Sequence, residues 1–178
     1  KIMKIGLCGT MSVGKTTLVN ALSKLPEFKD YKFATERSQH LMSLGIPLNT
    51  DSTLKGQTVF LAERCGELMG ENLITDRTII DVMAFTQCAS SIDSIDKLVF
   101  KEYARNFIKE YDYIFYVSPE GVGIEDNGIR ETDFKYRNLI DRTIQDILSD
   151  QKFRIKNFHI IKGSTEERIK LIKRSISS

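Results

Sequence analysis

Short apolar runs alternate along this chain with longer stretches in which apolar residues recur every three or four positions. The runs at 2–8, 31–35, 72–77, 113–117 and 158–161 have the length and composition of strands. The stretches at 15–25, 37–44, 52–71, 79–90, 94–110, 133–148 and 165–176 have helical period. Pro26 ends the first helix, residues 45–50 carry loop chemistry, Pro119 stops the fourth strand, and Ser164-Thr-Glu-Glu167 reads as a capping-box start for the last helix. The helix at 94–110 presents Leu98, Val99, Tyr103, Phe107 and Ile108 as its core face. Strands alternating with helices predict an α/β fold of three layers, a parallel five-stranded sheet with helices on both faces. With no repeat, low-complexity tract or linker, residues 1–178 are expected to form one domain.

Between the first strand and the first helix lie Gly9, Thr10, Met11, Ser12, Val13, Gly14, Lys15, Thr16 and Thr17. Gly, four residues, then Gly-Lys-Thr is the P-loop pattern, and a strand before it with a helix after it is the context that pattern needs. Backbone N–H groups of such a loop wrap a phosphate, Lys15 reaches toward the outer phosphates, and the Thr16 hydroxyl ligates Mg²⁺. The dipole of the following helix adds to the attraction. These residues therefore predict a bound nucleotide with Mg²⁺.

Ligands of parallel sheets bind at the carboxyl ends of the strands, and that rule sorts the acids. Glu36 and Asp76 follow strands and share the loop's edge, whereas Asp112 precedes its strand and belongs to the opposite one. Asp76 closes an apolar strand and is a candidate to hold Mg²⁺, directly or through water. Glu36, followed by Arg37, is a candidate to bind or deprotonate an acceptor hydroxyl. Gln57 and Arg64 interrupt the apolar stripe of the helix at 52–71, and a buried polar group needs a partner, so both are candidates for ligand contact. Arg77, Arg130 and Arg137 are the candidate phosphate-binding cations. Arg130 ends a Gly-rich stretch, part of a lid expected at about 119–137. His40 and His159 are too isolated for a metal site, and Tyr111, Tyr113, Phe115 and Tyr116 read as core aromatics.

The net charge of +2 is nearly balanced and gives no argument for a nucleic-acid groove; the basic residues Arg168, Lys170, Lys173 and Arg174 read as a solvated helix face. Cys8, Cys65 and Cys88 have no metal or disulfide spacing, sit in apolar patterns as buried thiols, and fit a reducing compartment. No apolar run approaches bilayer length and no signal-peptide layout precedes the first strand, so a cytoplasmic protein without membrane contact is expected.

With those residues in place, the chain resembles the nicotinamide riboside kinase-like branch of P-loop proteins, which contains the kinase domain of bacterial NadR proteins. The resemblance is carried by residues 9–17, Glu36-Arg37, Gln57, Asp76, and Glu125-Asp126-Asn127-Gly128-Ile129-Arg130, which looks like that family's Asp-Gly-x-Arg segment. The order Gln57, Asp76-Arg77-Thr78 and then the lid is also similar to deoxynucleoside and thymidylate kinases. The resemblance implies the P-loop NTPase fold and an acid after the second strand that contacts or activates the acceptor. It also implies an Asp-Arg pair beside the phosphates and a helix Gln that reads a base.

The leading expectation is a kinase that binds ATP and Mg²⁺ and phosphorylates a nucleoside or nucleoside monophosphate. Glu36, Arg37, Gln57, Arg64 and Arg77 would hold the acceptor, while Lys15, Arg77 and Arg130 stabilise the transferring group; the nucleotide is held by residues 9–17 with Arg130 and Arg137. A homodimer is compatible with this reading. One alternative makes a nucleic acid the acceptor, through a 5′ end or a hydroxylated base in DNA; the balanced charge argues for the small acceptor. A further alternative is a non-enzymatic nucleotide switch. No Asn-Lys-x-Asp follows Val117 and no Asp-x-x-Gly follows the third strand, so a guanine switch fits poorly. An AAA-type motor fits least, since no length remains for a helical lid domain.

Overall fold

A computed structural model of the protein describes residues 2–35, 38–47, 51–120 and 131–178. Five strands form one sheet: β1 (Lys4–Cys8), β2 (Lys32–Ala34), β3 (Leu73–Thr75), β4 (Tyr113–Val117) and β5 (Phe158–Ile161). Their order is β2-β3-β1-β4-β5 and every pairing is parallel, as expected. The helices are α1 (Lys15–Ser23), α2 (Ser38–Ser43), α3 (Leu54–Glu67), α4 (Ile79–Gln87), α5 (Ser94–Ala104), α6 (Glu131–Ser149) and α7 (Thr165–Ser177).

The two-residue period of the strands divides the core. Ile5 and Leu7 of β1 and Tyr113, Phe115 and Val117 of β4 pack with Leu18 and Leu22 of α1 and Ile172 of α7. Cys8, Ile114 and Tyr116 face the other way, onto a larger cluster with Phe60, Ile79, Met83, Ile140 and Ile144. Helices α1 and α7 therefore cover one face and α3 to α6 the other, each fully buried aliphatic side chain contributing about 1.5–3 kcal/mol.

At Gly6, on the second face, a Cβ would lie 2.5 Å from Thr78 Cγ2 and 3.1 Å from the Tyr111 ring. Only glycine lets α4 come this close to β1. The Tyr111 hydroxyl then accepts from the Ile79 N–H at 3.1 Å, which satisfies one orphan donor of the first turn of α4.

Three expectations need correction. Leu98, Val99 and Tyr103 are not core: they are 60%, 62% and 61% exposed. The buried side of α5 runs through Phe100 and Ala104, and the backbone tightens into a 3-10 helix at Arg105–Glu110, which brings Ile108 inside. Helix α1 stops at Ser23, and Pro26 opens a 3-10 turn, Pro26–Phe28, rather than ending the helix itself. Of the three free cysteines only Cys8 is buried; Cys65 and Cys88 are half-buried. Among the described residues no helix is long and apolar enough to cross a membrane.

Candidate active site

At the carboxyl edge, β1 feeds residues 9–14 and α1 begins at Lys15. Ser12 (φ 61°) and Gly14 (φ 86°) are left-handed, and a backbone that changes hand in this way turns successive N–H groups into one concavity at a helix N-terminus. Val13, 1% exposed, anchors the loop in the core beneath. The concavity opens into a cavity of about 280 Å³ lined by residues 11–17, Asp76 and Arg77.

Lys15 is 6% exposed. Its Nζ donates to the Gly9 carbonyl and, at 3.4 Å, to that of Thr10, and it stands 3.7 Å from Asp81 Oδ1. Burial pulls the Lys15 pKa down, and the Asp81 carboxylate opposes that fall. Asp81 is fully buried: Oδ1 accepts from the Gly9 N–H (3.0 Å), and Oδ2 from the Thr78 N–H (2.7 Å) and hydroxyl (2.9 Å). Thr78 and Asp81 form the capping box of α4, so one carboxylate ties the helix start to the first residue of the loop and to its lysine.

Thr16 Oγ1 donates to Asp76 Oδ2 at 2.9 Å, and both residues line the cavity. A hydroxyl and a carboxylate oxygen side by side are the hard donors Mg²⁺ takes, so the residues present fit that ion. Among the described residues no group of three or more His, Cys, Asp or Glu lies together, which leaves the remaining positions to phosphate oxygens and water. Arg77 also lines the cavity. Its guanidinium lies 4.8 Å from the centroid of the Phe85 ring, a cation-π contact that orients it, and its Nε is buried with no hydrogen-bond partner among the described residues. Arg137 of α6, 5% exposed, donates to the Ser12 carbonyl at 3.4 Å, and its own carbonyl accepts from Thr10 Oγ1 at 2.9 Å. The start of α6 is thereby fastened to the loop.

Two residues on α3 diverge. Gln57 is 3% exposed and makes no side-chain hydrogen bond among the described residues. Arg64 is 1% exposed, but Glu67 Oε1 lies 2.7 Å from its Nη2, and Glu67 Oε2 accepts from Thr75 Oγ1 at 3.1 Å. This ion pair within its own helix is one partner that its burial demands, while its Nε is buried with no hydrogen-bond partner among the described residues. Asp112 sits at the opposite edge, as expected, with Oδ2 accepting from the Lys4 N–H at 2.8 Å. Glu36, Arg37 and Arg130 lie outside the described residues.

Two residues at the loop were missed by the sequence reading. Asp81 carries a legible signal, Thr78-x-x-Asp81 before an apolar run, although its bond to Gly9 reaches across 72 residues of sequence. Arg168 was assigned to a solvated helix face, and this is overturned: it is 3% exposed, on the stripe of α7 that carries Ile172, with Nη1 donating to the Val13 carbonyl at 2.6 Å.

A family model described as AAA domain matches residues 4–168, from the first residue of β1 into α7. The chain belongs to this AAA-domain family. The match is coarser than the resemblance drawn from the motifs, and it does not single out the NadR-like branch. No curated protein sequence gives a match.

Solved structures share the fold of this family member. A deoxyadenosine kinase from M. mycoides with the products dCMP and a flexible dCDP bound is 19% identical, with 98% of each chain covered and a TM-score of 0.72. The same kinase with bound dATP is also 19% identical, with 99% of this chain and 100% of that one covered and a TM-score of 0.65. The YorR protein from Bacillus subtilis in complex with phosphorylated GDP is 16% identical, covering 98% of this chain and 96% of that one, with a TM-score of 0.64. At these identities the likeness establishes the P-loop NTPase fold.

Proposed function

We propose that the protein transfers the γ-phosphoryl group of ATP to a nucleoside or nucleoside monophosphate. The observation that carries this reading is the convergence of Lys15, the Thr16–Asp76 pair and Arg77 on one cavity at the carboxyl edge. A second cation lining the cavity beside the loop lysine suits charge moving between two substrates better than a loop that only holds a phosphate. The solved structures of the same fold hold dCMP, dATP and phosphorylated GDP, which favours a nucleoside or nucleotide acceptor over other hydroxyl compounds.

In this mechanism an acceptor oxygen, the hydroxyl of a nucleoside or a phosphate oxygen of a monophosphate, bonds to the γ-phosphorus as the bond to the bridging oxygen breaks and ADP departs; where the acceptor is a hydroxyl, Glu36 takes its proton. Lys15, Arg77 and Arg130 stabilise the charge on the transferring group, and Arg137 keeps the loop shaped around the remaining phosphates. Mg²⁺ held by Thr16 with Asp76 would supply further positive charge to the phosphate oxygens. Gln57, buried on α3, is assigned with Arg37 to the acceptor, and Arg64, paired with Glu67, supports α3 instead.

Release of ADP is to be measured with nucleosides, nucleoside monophosphates and 5′-hydroxyl oligonucleotides as acceptors. Turnover with one of the small acceptors supports the reading; turnover with oligonucleotides alone transfers the site to nucleic acid. In Glu36→Gln most turnover should be lost with ATP binding nearly intact, and loss of ATP binding instead would remove Glu36 from its assigned role.

A further inference from the structure

Arg168 is a buried cation in an unusual setting. Its fork spans two segments, Nη1 to the Val13 carbonyl (2.6 Å) and Nη2 to the Ser118 carbonyl (3.1 Å) just beyond β4. Its Nε is buried without a hydrogen-bond partner among the described residues, and no carboxylate pairs with it there. Burial alone acts on its pKa, downward, with no acid opposing it. A charge taken out of water normally keeps an opposite charge beside it, as Arg64 does with Glu67, because carbonyl dipoles offset the desolvation only in part. Here the uncompensated charge sits directly behind the phosphate loop, 3.2 Å from where a Gly14 Cβ would be.

The peptide joining Val13 to Gly14 is planar and trans, so its carbonyl and its N–H point in opposite directions. With the carbonyl held by Arg168, the Gly14 N–H is turned away from Arg168, and Gly14 lines the cavity on that other side. We propose that Arg168 is a positioning residue for polyphosphate binding. It fixes the Val13–Gly14 peptide with its N–H toward the ligand, and it places behind that peptide a positive charge whose counter-charge is the phosphate itself. The inference rests on reading residues 9–17 as the ATP site.

The test measures ATP·Mg²⁺ and inorganic tripolyphosphate affinities by calorimetry, alongside melting temperatures, for the unaltered protein, Arg168→Met, Arg168→Lys and Lys15→Met. Losing a charge-assisted hydrogen bond and the charge predicts that Arg168→Met raises both dissociation constants about tenfold or more, with Arg168→Lys between it and the unaltered protein. The structural alternative lowers the melting temperature and leaves both affinities within about twofold, and a folded Arg168→Met behaving so overturns the proposal. If Arg168→Met does not fold, Arg168→Lys decides: at least about a threefold loss of affinity supports the proposal, and unchanged affinity overturns it. Lys15→Met checks the underlying reading, since retained ATP affinity there would displace the phosphate site from this loop whatever Arg168 does.

Discussion

Asp81 and Asp112 both fasten β1 to a neighbouring element by accepting a backbone N–H, one at each edge of the sheet. At the carboxyl edge Asp81 is fully buried, accepts three hydrogen bonds and stands 3.7 Å from Lys15. At the amino edge the Asp112 side chain is 34% exposed, holds the Lys4 N–H, and has Lys156 3.9 Å away. The same residue type does related work in two dielectric settings. Screened by water, Asp112 contributes one hydrogen bond and little Coulombic energy. In the interior, Asp81 carries the counter-charge of a lysine that faces the cavity, so the shape of the loop and the charge of the site are set together.

That contrast breaks most visibly on removing the buried carboxylate. Asp81→Ala leaves Lys15 without its counter-charge and the Gly9 and Thr78 N–H groups without acceptors, so unfolding stability should fall by about 3–5 kcal/mol. Denaturant titration checks this, and a loss below about 1 kcal/mol would place Asp81 in the same class as Asp112. Lys15→Met is next. It removes charge aimed at the transferring group, and turnover should drop about 10²–10³-fold, equivalent to about 2.7–4 kcal/mol in the barrier. ADP release at saturating ATP measures it. Arg77→Met comes third, with turnover lower by about tenfold to a hundredfold. Because what is lost is one cation-π contact, with Phe85, from a residue that lines the cavity, the melting temperature should move little.

The sheet was legible because its strands are short, apolar and separated by helical periods, and the parallel order followed from the alternation. The face of α5 was not. Apolar residues surround that helix, and periodicity alone does not say whether Leu98 and Tyr103 or Phe100 and Ala104 turn inward. In the site, the loop, Asp76 and Arg77 were readable because motif and strand end place them locally, and the structure brings them to one cavity; Arg137, expected from the helix after the lid, touches the loop at Ser12 and Thr10. For Arg64 the helical stripe showed the burial but not the partner three residues on, Glu67, which takes part of its hydrogen-bonding capacity. Arg168 was invisible for a different reason: α7 is basic and amphipathic, and only its packing beside α1 puts one of its cations behind the loop.

The smallest effect belongs to the amino edge. Asp112→Ala removes the acceptor for the Lys4 N–H, while the backbone bond from the Asp112 N–H to the Lys4 carbonyl (2.8 Å) and the Asn157 side-chain bond to the Asp112 carbonyl (2.8 Å) remain. Water reaches this edge and can replace the lost partner, so the cost should be about 0.5–1.5 kcal/mol, seen as a lower denaturant midpoint at unchanged m. Turnover should stay within about twofold, because the change meets the loop only through the whole length of β1 or of β4. A tenfold fall in turnover from Asp112→Ala, with the protein still folded, would mean that β1 or β4 transmits changes from edge to edge. The division of labour between the two aspartates would then not hold.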